Sequence, residues 1–160
     1  MNASLNTPPP KLKSVSSGFT LIELMVTIAV LAIIAAIATP SISIQLANQR
    51  VKSTAVILAN ALKEARVEST IRRQDITFSY DNDGDDAGKI EIENGNGMIA
   101  TYQYDANSTI TSTASQIEFK PSRTVDAMVY TICDSNASAS PRQVVITAIA
   151  NISSQLGGSC

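Results

Sequence analysis

The stretch Gly18-Phe-Thr-Leu-Ile-Glu-Leu-Met-Val-Thr-Ile-Ala-Val-Leu-Ala-Ile-Ile-Ala-Ala-Ile-Ala-Thr-Pro40 decides how the rest of this chain is read. From Phe19 to Thr39 it runs 21 residues, apolar apart from threonines and Glu23. At about 1.5 Å per residue, a helix of that length crosses a bilayer core. Glu23 is the anomaly, because an ionised carboxylate inside a membrane costs roughly 2.5 kcal/mol or more unless a counter-charge meets it. No Lys, Arg or His lies one or two helical turns away to supply one.

The flanks point to a source for that charge. Lys11 and Lys13 precede the apolar run and no acidic residue occurs before Glu23, which places the N-terminus in the cytoplasm and the remainder outside. The first 18 residues, with Pro8, Pro9 and Pro10 and several serines, hold too little apolar surface to fold and read as a targeting leader. An ordinary secretory signal is cut after its apolar core, and Ala35, Ala36 and Ala38 offer small residues for that. A cut after Gly18 instead keeps the helix and creates a new amine at Phe19, four residues from Glu23.

With those residues in view, Gly18-Phe19-Thr20-Leu21-Ile22-Glu23-Leu24 resembles the class III signal of type IV pilins and type II secretion pseudopilins. The resemblance implies cleavage between Gly18 and Phe19 by the prepilin peptidase and N-methylation of Phe19. It also implies that Glu23 faces the Phe19 amine of a neighbouring subunit during assembly. The plainer alternative for Glu23 is a carboxyl that stays protonated in lipid, or snorkels to the interface, with no part in assembly.

Removing the leader leaves 142 residues, enough for one small core on a helical stalk. Three segments are expected: a cleaved leader over 1–18, a transmembrane and assembly helix over 19–47, and a periplasmic globular domain over 48–160. Pro40 cannot donate to the helix ladder and clashes one turn back, so a kink is expected there. Beyond it Ile44, Ala47, Val51, Ala55, Leu58, Leu62 and Ala65 recur at intervals of three and four, drawing one apolar stripe along a helix that runs to about Ile71. Only a β-sheet built from the rest of the chain can cover that stripe.

The period changes at Ile76. Ile76–Tyr80 and Lys89–Glu93 alternate apolar and polar, with a turn-rich loop over residues 81–88 between them, and Asn94-Gly-Asn-Gly97 leads into Met98–Tyr104. Further strands are expected over Thr109–Thr113, Gln116–Lys120, Met128–Cys133 and Gln143–Ile149. The fold class is α+β: a long N-terminal helix packed on one or two antiparallel sheets. Asp81, Asp83 and Asp85 have the alternation of a calcium loop, but Asp86 stands where the sharp-turn glycine belongs and Ile92 where the bidentate glutamate belongs. A solvated turn is the better account, and no metal or cofactor is expected.

Two cysteines, Cys133 and Cys160, lie on the side that the topology places outside. An even count in an oxidising compartment favours one disulfide tying the C-terminal residue to a central strand; two free thiols are the alternative. The chain has no histidine and no tryptophan, which removes the commonest general base and zinc ligand. No catalytic constellation stands out, and Glu91 and Glu93 read as solvated strand decoration, so an enzyme is not expected.

The later pattern narrows the resemblance. The helix segment Asn60–Ser69, the hairpins, Ile132-Cys133-Asp134 and the strand Val144–Thr147 together resemble FimT/FimU minor pilins and the related H-type minor pseudopilin of type II secretion. That implies a pilin-like fold and a low-copy subunit of the initiation and tip complex of a type IV pilus. Its partners would be other minor pilins, the major pilin, the prepilin peptidase and the inner-membrane assembly platform. The implied location is the inner membrane, single-pass, then the pilus tip.

Two other functions stand beside this one: the H-type pseudopilin, and a tip receptor for DNA in natural transformation. DNA-binding members carry a Gly-Arg-x-Arg tail, and the corresponding place here, near Ala150–Ser153, has neither arginine. Residues 72–160 hold six Lys or Arg against eleven Asp or Glu, a net of −5 that repels a polyanion. Arg123 and Arg142 remain as the only pair singled out for a local basic patch.

Overall fold

The computed structural model describes residues 18–83 and 86–160, with helical backbone alone at residues 38–40. Residues 1–17 of the expected leader, Asp85 of the acidic loop and the side chain of Pro40 therefore lie outside the described residues. The chain divides into two compact units at the Ala38/Thr39 boundary. The order of elements is α1 (Leu21–Arg72), β1 (Ile76–Asp81), β2 (Gly88–Asn94), β3 (Gly97–Tyr104), β4 (Ser108–Thr111), β5 (Gln116–Phe119), β6 (Met128–Asp134), β7 (Arg142–Ile146) and β8 (Ile152–Leu156).

The first unit holds the start of α1. Leu21 opens the helix because Thr20 caps it: the Glu23 amide donates to Thr20 Oγ1 at 3.3 Å and the Leu24 amide to the Thr20 carbonyl at 3.2 Å. Threonine is a favoured N-cap since its hydroxyl satisfies a first-turn amide that has no helical partner. The expected helix start at Phe19 thus moves inward by two residues.

The second unit carries a single core. Its strands form two four-stranded antiparallel sheets, ordered β3-β2-β1-β5 and β4-β6-β7-β8. The expected apolar stripe is the face of α1 that meets them: Ala47, Val51, Ala55, Leu58, Leu62 and Ala65 are fully buried, and Ile44 is partly buried. The inward positions on the sheets follow from period-two alternation. Ile76 and Phe78 of β1 and Ile90 and Ile92 of β2 are buried, and so are Tyr130 and Ile132 of β6 and Val144 and Ile146 of β7.

Tyr130 links the two sheets, its ring edge-on to Phe78 at 6.1 Å and to Tyr80 at 5.9 Å between centroids. Its hydroxyl is buried without a hydrogen-bond partner among the described residues, as are those of Thr54 and Ser108. Burial pushes the Tyr130 phenol well above the usual tyrosine range, with the nearby Tyr80 adding to the shift.

Both expected hairpins, β1–β2 and β2–β3, form in the register that alternation demands: Phe78 opposes Ile92 and Ile90 opposes Tyr102. Gly88 opposes Tyr104, whose ring lies over it; a Cβ on residue 88 would come within 2.1 Å of that ring. Two expectations are corrected. The strand expected over Gln143–Ile149 ends at Ile146, because Thr147 to Asn151 form a turn in which Ala150 adopts φ 55°. The stretch Ile152–Leu156, where no strand was expected, returns as β8 against β7.

Candidate assembly site

At the N-terminal end the chemistry is that of an uncovered apolar helix with one acid. Twelve large apolar side chains between Phe19 and Ile37 are at least half exposed, from Val30 at 50% to Phe19 at 79%. Each is worth about 1.5–3 kcal/mol once removed from water. A helix apolar on every face that its own chain does not cover is built for lipid or for the helices of other subunits. Taken as separate stretches, neither Leu21–Ile37 nor Ser41–Arg72 is by itself long and apolar enough to cross a membrane; together they reach that measure by length and composition.

Glu23 sits in the first turn of this helix, where the positive end of the helix dipole favours an anion. Thr20 and Glu23 have the spacing of a capping box, but only half of it is made: Thr20 Oγ1 accepts from the Glu23 amide, with no return bond from the Glu23 carboxylate. Among the described residues that carboxylate has no hydrogen-bond or ionic partner. Gly18 and Phe19 precede the helix and are exposed. Sequence position alone brings Gly18, Phe19 and Glu23 together at one end of the chain.

The second unit is clamped where α1 enters it, by residues that periodicity does not reveal. Arg50 donates from Nε and Nη2 to the two carboxylate oxygens of Asp134, each at 2.8 Å. Asp105 lies 3.7 Å from the same guanidinium. Burial pulls the Asp134 carboxyl upward, but the bonds from Arg50 and the Asn136 amide, with the Arg50 charge, outweigh it and hold it below the usual carboxylate range. About four turns further along α1, Tyr102 of β3 donates its hydroxyl to Glu64. On the other side of Arg50, Asn48 Oδ1 accepts from the Ser140 amide at 2.7 Å, so the β6–β7 loop is held to the same helix.

Cys133 and Cys160 are bonded, with Cα atoms 5.8 Å apart, which settles the expected pairing and leaves no free cysteine. Beyond β8 the tail turns back across the outer face of the second sheet to reach Cys133. Gly158, at φ 100°, passes so close to Thr131 that a Cβ there would fall 2.7 Å from its Cγ2. Arg123, at φ 62°, borders a cavity with Arg66, Val67, Thr70 and Ile71, and Arg142 takes no part in it. Among the described residues, no group of three or more His, Cys, Asp or Glu side chains could hold a metal ion.

A methylation-type N-terminus leading a long helix onto antiparallel sheets closed by a C-terminal disulfide defines a type IV pilin-like chain. The family model of the prokaryotic N-terminal methylation motif matches residues 13–39. Among solved structures, the chain is similar to the type IV minor pilin FimU of Pseudomonas aeruginosa in two crystal forms. One aligns with a TM-score of 0.55 at 18% identity, covering 68% of this chain and 98% of that one. The other gives 0.57 at 18%, covering 70% and 96%. It is similar also to the minor pseudopilin EpsH from the type 2 secretion system of Vibrio cholerae, with a TM-score of 0.55 at 12% identity, covering 67% and 97%. No curated protein matches the chain in sequence. The solved structures that share this fold are thus of a minor pilin and a minor pseudopilin.

Proposed function

We infer that this chain is a minor pilin, a structural subunit of the initiation and tip complex of a type IV pilus, drawn from the inner membrane into the filament. The observation that carries the reading is the first turn of α1. An acid there has its backbone amide capped by Thr20 and its carboxylate without a partner among the described residues, at the head of a helix whose apolar side chains are exposed. Cleavage after Gly18 would set an amine, methylated at Phe19, beside that helix start, and a neighbouring subunit's amine would neutralise Glu23 as the helices bundle. Residues 1–18 are then the leader, 19–47 the assembly helix with its kink at Pro40, and 48–160 the periplasmic domain. Other minor pilins, the major pilin, the prepilin peptidase and the assembly platform are its partners.

Mass spectrometry of the protein from membranes and sheared filaments tests this. A mature terminus at Phe19 carrying one methyl group is expected; an intact Met1, or trimming near Ala38, overturns it. The likeness to EpsH supports a second reading, the H-type pseudopilin of a type II secretion system. Deleting the gene then abolishes exoprotein release and leaves twitching intact, whereas the pilus reading expects the reverse.

A further inference from the structure

The two sheets have four edge strands, and three of them carry a device that blocks pairing with another chain. β3 is bulged against β2, where Ile92 opposes Ala100 but Glu93 opposes Met98, so Ile99 falls out of the ladder. On β4 the backbone at Ile110 is already engaged on both sides of its peptide, the amide donating to Asn82 Oδ1 and the carbonyl accepting from Asn82 Nδ2, each at 2.8 Å. β5 is four residues long, bears Glu118, and is followed by Lys120 and Pro121. Charges, prolines, bulges and covering groups are the means by which proteins protect an edge.

β8 has none of these. It bonds only to β7 among the described residues, and from Gln143 to Gly158 the chain carries neither a charged side chain nor a proline. Ser153 to Leu156 are exposed, Leu156 at 68%. The C-terminal tail does not cover this edge, for Gly158 lies against Thr131 of β6 and Gln143 of β7.

The sequence of β8, Ile152-Ser-Ser-Gln-Leu156, is also complementary to itself when reversed. An antiparallel copy centred on Ser154 sets Ile152 against Leu156 and Ser153 against Gln155, with Ser154 opposite Ser154, so apolar meets apolar and polar meets polar at every position. Ile152, Ser154 and Leu156 share one face of the strand, the face on which Ile152 packs against the core.

We propose that the free edge of β8 pairs antiparallel with β8 of a second copy of this chain, about a twofold axis through Ser154, joining two four-stranded sheets into one of eight strands. This contact is separate from assembly through Phe19 and Glu23, and its failure would leave that reading intact.

The test uses the full chain extracted in mild detergent. In the proposed register the two Ser154 Cα atoms lie about 4.5–5.5 Å apart, within disulfide range. Ser154→Cys should therefore cross-link into a dimer on gentle oxidation, with the link mapped by peptide mass spectrometry to the substituted position. Ser153→Cys is displaced from its own copy by two residues, about 7 Å along the strand, and should give about tenfold less dimer. Light scattering provides a second measurement: the native chain runs as a dimer and Ser154→Lys, which opposes two like charges, as a monomer with the Cys133–Cys160 bond retained. Absence of a Ser154→Cys dimer, equal yields at both positions, cross-linking only to a different protein, or an unchanged mass for Ser154→Lys overturns the proposal.

Discussion

Arg50 and Asp134, 84 positions apart in sequence, are joined by two parallel hydrogen bonds of 2.8 Å, with the Asp134 side chain fully buried and that of Arg50 20% exposed. A guanidinium and a carboxylate matched in this way fix orientation as well as distance. The pair locks α1 to the end of β6 one residue from the disulfide. Asp134→Ala takes both hydrogen bonds from Arg50 and leaves it only Asp105 at 3.7 Å, so it should cost about 1.5–3 kcal/mol in denaturant unfolding of the detergent-solubilised chain. Replacing both, as Arg50→Met with Asp134→Leu, should recover much of that loss.

The same pair fixes a pH response. Asp134 is held below its ordinary range by Arg50 and the Asn136 amide acting against burial, so its folded pKa lies below its unfolded one. A depressed carboxylate contributes stability that is complete above the unfolded value, about 3.9, and is lost as pH falls through the folded value. Melting temperature should therefore drop below about pH 4 in the native chain. Asp134→Asn, already weaker at neutral pH, should lose less over the same acid range.

Asn82 serves as a piece of strand between the two sheets. Its carboxamide bonds both the amide and the carbonyl of Ile110, and its Oδ1 also accepts from the Tyr104 hydroxyl at 2.7 Å. Asn82→Ala strands those partners and should cost about 1–3 kcal/mol. Hydrogen exchange at the Ile110 amide should accelerate, while amides in the β1–β2 hairpin keep their protection.

Most of this architecture could be read in the chain because it rests on local periods. Spacings of three and four from Ala47 to Ala65 described a face that the sheets do bury, and alternation located the inward residues of β1, β2, β6 and β7. What escaped lacks a period. β8 is five residues with two serines and a glutamine, too short and polar to show alternation, and it exists because β7 offers it a partner. The turn before it has Ala150 rather than glycine at a positive φ, so the signal that would have ended β7 at Ile146 was missing. Arg50 with Asp134 and Asn82 with Ile110 are tertiary meetings of polar residues, and no spacing along one element encodes them. Gly18, Phe19 and Glu23 could be singled out together for the opposite reason: they are neighbours in sequence.

The Cys133–Cys160 bond closes a separation of 27 residues. By loop-closure entropy, such a link is worth roughly 3–4 kcal/mol. Cys160→Ser should lower denaturant stability by that order and release the tail from Thr131 and Gln143. Protease digestion would show the release as a nick between Leu156 and Cys160 that the oxidised chain resists.

Two roles for the first helical turn can be separated because they use different atoms. The cap uses the Glu23 amide and the Thr20 hydroxyl, whereas the proposed neutralisation of a neighbour's amine uses the Glu23 carboxylate. Glu23→Gln keeps the backbone bond and a similar shape but loses the charge; Thr20→Val keeps the charge and loses the cap, at about 1 kcal/mol of helix stability. If charge pairing governs assembly, Glu23→Gln should abolish recovery of the subunit in sheared filaments while Thr20→Val lowers it only slightly. Membrane levels and the melting temperature should stay native in both variants, because the core lies wholly within residues 39–160. The opposite ranking in an immunoblot of filaments against membranes would assign Glu23 to helix initiation alone.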